Sequence, residues 1–189
     1  MKARPIIFSS QMVRALLENR KTQTRRIVNP QPELSKEGNL MGDWLKKPLA
    51  GLLLPKLQDI TIHCPFGKIG DRLWVRETFQ IISGKYYYAA TPPNPYDISD
   101  IRWKPSILMP RLVSRINLEM VSVGVERLQD ISVEDAIAEG VPGESEAAEW
   151  GCTSYEKPRK AYWRIWEQIN GKGSWNEDPY VWKIEFRRI

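Results

Sequence analysis

The chain has 189 residues, with 28 basic and 23 acidic side chains, a formal charge of +5, 42% hydrophobic residues and 27% charged ones. That length suits one domain able to bury roughly 70% of the surface its unfolded chain exposes, so no disulfide or metal staple is needed. The composition excludes a disordered chain. No apolar run approaches the about 18 residues of a membrane span. The opening residues break their apolar run with Ser9, Ser10, Gln11 and Arg14, unlike a secretory signal, and the expected location is the cytoplasm. Two cysteines, Cys64 and Cys152, make no disulfide framework, and the single histidine, His63, has no CxxC or HxxxH spacing around it. A structural zinc site takes four such ligands, so neither metal nor cofactor is expected.

Residues 5–8, PIIF, predict a short strand, and Ser9 or Ser10 caps the helix that follows. Met12, Val13, Leu16 and Leu17 give that helix one apolar stripe, which ends near Asn19 and Arg20. Thr22 and Thr24 then favour an extended segment from Lys21 to Val28. Residues 29–60 carry four prolines and no sustained period, and read as a surface insertion with a short helix near Leu45. A strand is predicted over Arg72 to Phe79, with Leu73, Val75 and Glu77 on one side, and another at Tyr86, Tyr87 and Tyr88. Residues 91–110, with five prolines, form a second insertion.

Leu112 to Leu128 is the longest strand-like region, and its apolar parity switches near Met120 and Val121, predicting a bulge. Ser132 with Asp135 makes a capping box opening the helix VEDAIAE, which Gly140 closes. A second helix starts at Pro158 and buries Tyr162, Ile165, Trp166 and Ile169, and Trp163, Trp166, Trp175 and Trp182 read as core. YVWKIEFRRI ends the chain with the cleanest alternation. Strands that are short and do not alternate regularly with helices predict an α+β fold: a small, mostly antiparallel barrel with attached helices and loop insertions, one domain over 1–189.

No phosphate loop, dinucleotide fingerprint or nucleophile elbow is present. The densest chemical feature is RKTQTRR, where Arg20, Lys21, Arg25 and Arg26 set four cations in seven residues without an acid. Such a cluster fits nucleic-acid or nucleotide contact, or a solvated basic edge strand. Trp103, Lys104, Arg111 and Arg115 join a stacking ring to cations around a proline-bounded loop, a combination suited to single-stranded nucleic acid. Trp103 as a core plug is the alternative. Glu77 reads either as a cleft residue or as the buried partner of Arg76 or Arg115.

The order of a helix, RKTQTRR, GDRLWVRETF, a long strand into LQDISVEDAIAEGV and a terminal IEFRRI resembles the ASCH domains of the PUA-like superfamily. WKPSILMPR and the closing NEDPYVWKIEF are similar to ASCH-like proteins carried by phages and prophages. The resemblance implies a pseudo-barrel with a basic cleft and RNA or a modified nucleoside as partner. At the K-x-x-T spacing the chain also resembles bacterial acetylcytidine amidohydrolases, which implies Thr24 as nucleophile, Lys21 as base and Glu139 as proton donor or orienter, without a metal. A threonine hydroxyl needs such a base, and neighbouring cations with burial depress a lysine enough to serve. Because residues 21 and 24 of an ideal strand face opposite ways, this chemistry requires Lys21 to sit at the helix end or a kinked strand entry. A third reading is a phage-encoded protein-interaction module.

Overall fold

A computed structural model describes residues 1–49, 51–92, 101–141 and 158–189. Cys152, the loop before Pro158, and Pro93 and Pro95 of the second insertion lie outside the described residues.

The framework is a five-stranded sheet in the order β1 (Ala3–Ile7), β5 (Arg72–Arg76), β8 (Asn117–Arg127), β9 (Tyr180–Arg188), β2 (Gln23–Ile27). Every neighbouring pair is antiparallel except β1 with β5. The terminal alternation works as predicted: Tyr180, Trp182, Ile184 and Phe186 are buried on β9, a strand flanked on both sides. The parity switch in β8 is a bulge between Met120 and Ser122 in its ladder with β9. One extra residue lets both Met120 and Val125, of opposite parity, face the core, while Val121 stays exposed.

A barrel was expected; the ladder is open, with β1 and β2 as its two edges. Arg26 of β2 spans the opening by donating from Nη2 to the Ile7 carbonyl at the end of β1, at 2.6 Å. Phe8, beyond that carbonyl, lies under both the Lys21 ammonium and the Arg26 guanidinium, each 5.4 Å from its ring centroid. The two edges are thus joined by a side chain instead of backbone pairing.

α1 (Ser10–Leu17) starts where the Ser9 hydroxyl accepts from the Met12 N–H and stops where Asn19 takes a left-handed conformation. Its buried face is Val13, Ala15 and Leu16. The segment 29–60 is not a surface insertion. It folds into a small hairpin, β3 (Glu33–Leu34) with β4 (Leu40–Met41), and two 3₁₀ turns over Gly42–Lys46 and Leu57–His63. It supplies Leu40, Trp44, Leu49 and Ile60 to the main core, Trp44 meeting Trp182 edge-on at 6.2 Å. Cys64 is a buried free thiol, and His63 contacts the Pro48 carbonyl at 2.8 Å. A second hairpin, β6 (Phe79–Ile82) with β7 (Lys85–Tyr88), carries the predicted tyrosines. α2 (Val133–Ala138) and α3 (Pro158–Asn170) pack on each other through Ala136, Tyr162 and Trp166. Among the described residues, no helix is long and apolar enough to cross a membrane.

Candidate functional site

The site forms where the ends of α1 and α2 meet the entry of β2. The backbone N–H groups of Arg20 and Lys21 both close onto the Ala15 carbonyl, so Lys21 belongs to the helix ending, two residues before the strand. Strand alternation therefore does not govern its side chain. The Thr22 N–H bonds to the Ala138 carbonyl at 2.8 Å and pins α2 against this junction. Next to it, Gly140 has φ +84°, and a Cβ there would lie 2.9 Å from the Cβ atoms of both Ala15 and Lys21. Only glycine fits this approach and this backbone.

Glu139, capping α2, is consequently driven inward. Its Oε2 is 2.7 Å from Lys21 Nζ, its Oε1 3.2 Å from Arg25 Nη1, and its own carbonyl accepts from Lys21 Nζ at 2.8 Å. The Lys21 side chain is fully buried and that of Glu139 is 3% exposed. Arg25 also binds Glu126 at 2.7 Å and Asp135 at 2.8 Å, and Lys183 binds Asp135 at 2.8 Å. Burial pulls the Lys21 ammonium below its usual pKa; Glu139 opposes this, and Arg26 and Arg25 add to it. Burial also works against the Arg25 charge, but Glu139 and Glu126 outweigh it and hold its pKa up.

In front of this network lies a pocket of about 230 Å³. Ser9, Thr24, Arg25, Arg26, Glu139 and Asn170 give its lining polar groups, and Met12, Tyr162, Ile165 and Trp166 give it apolar and aromatic surface. Thr24 and Arg26 alternate with Arg25 along β2, facing the side of Ile184 and Trp182. Among the described residues no carboxylate pairs with Arg26. Its Nε and the Trp166 Nε1 are both buried without a hydrogen-bond partner. Burial holds the Tyr162 hydroxyl protonated well above its usual range, with Glu139 reinforcing this.

Of the residues singled out in the sequence, Thr24, Arg25, Arg26 and Glu139 line the pocket, and Lys21 stands behind Glu139. Arg20 turns away to Glu18 and the carbonyls of Gly140 and Val141. Glu77 is the buried partner of Arg115, held by two bonds of 2.8 and 2.9 Å, and Arg115 also covers Tyr88. Glu77, Trp103, Lys104, Arg111 and Arg115 do not line this pocket. Lys104 joins the Phe79 backbone, and Arg111 donates to Asn117. The expected basic cleft is largely neutral inside, because Glu126, Asp135 and Glu139 compensate Lys21, Arg25 and Lys183. Trp166 is core as expected, and with Tyr162 it also lines the pocket; their i, i+4 spacing in α3 is the sequence signal that puts them on one face. Among the described residues, no three of His, Cys, Asp and Glu gather as a metal site requires.

No family model matches the chain, and no curated protein matches it. Among solved structures, it is similar to an ASCH domain from Lactobacillus crispatus JV V101, at 14% identity and a TM-score of 0.38, covering 99% of this chain and 79% of that one. A likeness of that size carries no weight for function.

Proposed function

We propose that this chain is an ASCH-type, PUA-like protein whose pocket between α1, β2 and α3 takes a nucleoside-sized ligand, either free or as a modified base extruded from RNA. The observation that carries this reading is the pocket lining itself: Thr24, Arg26 and Glu139 share about 230 Å³ with Tyr162 and Trp166. That volume is small beside the about 300–1,000 Å³ of drug-sized sites, and suits one base rather than a strand. Lys21 and Arg25 are committed to internal carboxylates, so recognition falls to directional hydrogen bonds and aromatic contact instead of phosphate neutralisation. Calorimetric titration with a panel of free and modified nucleosides tests it. Micromolar binding by at least one, weakened about fivefold to 150-fold by Trp166→Ala, fits the about 1–3 kcal/mol of base–aromatic contact. No binding across the panel refutes it.

A second reading, amide hydrolysis on an acetylated cytidine or similar base, is favoured by Thr24 and Glu139 sharing the pocket, with Lys21 paired to that glutamate. Thr24 Oγ1 would bond to the acyl carbon as Lys21, in its neutral form, takes the hydroxyl proton. The amide C–N bond would then break, with that proton passing to the leaving amine, and water would release acetate from the acyl-threonine. With both carboxylate oxygens engaged, Glu139 serves as the orienter of Lys21. Acetate release from acetylcytidine should vanish in Thr24→Ala and in Lys21→Ala. Turnover surviving both changes would eliminate this chemistry.

A further inference from the structure

A second charged surface lies on the opposite side of the sheet from the core. Alternation in β5 buries Leu73 and Val75 and turns Arg72, Trp74 and Arg76 outward. The parallel register sets Ala3, Pro5 and Ile7 of β1 beside them, and all three are exposed. Small side chains at 3 and 5 leave this face low. On the far side, Asn117 and Glu119 of β8 stand opposite Trp74 and Arg72.

Two of the arginines here, Arg76 and Arg111, are held in place and left without counter-charge. Arg76 donates to the carbonyls of Met109 and Ile107 and lies 5.3 Å from the Trp74 ring. Arg111, from the loop before β8, lies 5.8 Å from the same ring and donates to the neutral Asn117 amide. Arg72 is exposed. Glu119, the nearest acid by register, is already paired with Arg187 at 2.7 Å. Among the described residues, no carboxylate pairs with Arg72, Arg76 or Arg111. Two uncompensated guanidiniums against one indole, with Arg72 two residues along the same strand face, are the reverse of the pocket network, where every cation but Arg26 has an acidic partner.

We propose that this face, Arg72, Trp74, Arg76 and Arg111, is a docking surface for the backbone of a single-stranded polynucleotide, separate from the pocket. The guanidinium fork matches phosphate oxygens in two-point contacts, and Trp74 both fixes two forks and offers an aromatic edge to a base. An acidic protein would meet the same charge but has no use for the ring, and this makes it the competing outcome.

The test is fluorescence anisotropy of labelled oligouridylate and oligodeoxythymidylate across a salt series. Three neutralised phosphates on a single strand give a slope of log affinity against log salt of about −2, at about −0.7 each. The double variant Arg72→Glu, Arg111→Glu should weaken binding about tenfold or more and bring the slope to about −0.7. Both positions are exposed, and an unchanged melting midpoint would confirm a folded variant. Equal displacement by polyglutamate, no binding at low salt, or an unchanged slope in the double variant each overturns the proposal. The double variant should keep nucleoside binding in the pocket, and Trp166→Ala should keep oligonucleotide binding, so either site can fail alone.

Discussion

Glu139→Gln tests the buried network most directly. The substitution preserves shape and a hydrogen-bonding oxygen toward Arg25, which retains Glu126 and Asp135. Lys21 has no such reserve: its side chain is fully buried, Glu139 is its one acidic partner among the described residues, and the substitution leaves it only neutral acceptors, the backbone carbonyl of residue 139 among them. Removing one partner of a buried pair costs about 3–5 kcal/mol. An independent bound comes from letting Lys21 shed its proton instead. Moving an ammonium of ordinary pKa about 10.4 to the neutral form at pH 7 costs about 4.6 kcal/mol, at 1.36 kcal/mol per pH unit. The two routes agree on a loss of about 3–5 kcal/mol, measurable by urea unfolding. Lys21→Met should cost less, because Glu139 keeps Arg25, and the double variant should recover part of the Glu139→Gln loss. The pH dependence has a definite sign. Lys21 is depressed in the folded state, so between its folded pKa and about 10.4 the unfolded chain binds more protons. Stability in that window therefore rises with pH, more steeply in Glu139→Gln than in the parent. A loss under about 1 kcal/mol, or a variant whose stability is flat from neutral to alkaline pH, would refute the reasoning.

Asp71 accepts from the Lys2 N–H, the Arg4 guanidinium and the Lys68 N–H, which hold its pKa down to about 2. Its contribution is present above the unfolded value near 3.9 and is lost as pH falls through about 2, so acid unfolding of Asp71→Asn should lack that step. Trp44→Ala removes a ring packed on Trp182, and the Nε1 bond to the Pro30 carbonyl, and should cost about 3–5 kcal/mol by denaturant unfolding. Gly140→Ala forces a methyl to within 2.9 Å of Ala15 and Lys21 at φ +84°, and should cost about 1–3 kcal/mol while lowering pocket occupancy in the nucleoside titration.

The sheet strands and helices were legible because each carries a local signal. The alternation in β9, the parity switch that became the β8 bulge, the serine caps at Ser9 and Ser132 and the glycine after Glu139 all act within a few residues. What escaped was tertiary. Residues 29–60 look polar and proline-broken in sequence, and no period announces that Trp44 and Ile60 are core. Their burial is decided by Trp182 and its neighbours, far along the chain. An open sheet was equally hard to foresee, since the gap between β1 and β2 is spanned by a single arginine from a segment that reads as an ordinary basic cluster.

That cluster shows why charge runs mislead about sites. RKTQTRR contains no acid, and by sequence every cation in it is available to a ligand. The carboxylates that neutralise it come from β8 and α2, roughly a hundred residues later: Glu126, Asp135 and Glu139. Conversely, Arg72, Arg76 and Arg111 form no run, and Arg72 and Arg76 each have an acid next in sequence, but folding gives Asp71 to Arg4 and Glu77 to Arg115 and brings Arg76 and Arg111 to one indole with no acid paired to them. A cation is free to meet a ligand when the fold withholds a counter-charge from it, whatever its neighbours in sequence. By that criterion Arg26, which among the described residues has the Ile7 carbonyl and the Phe8 ring but no carboxylate, and which keeps an unbonded Nε at the pocket wall, is the cation of RKTQTRR best placed to contact a bound molecule.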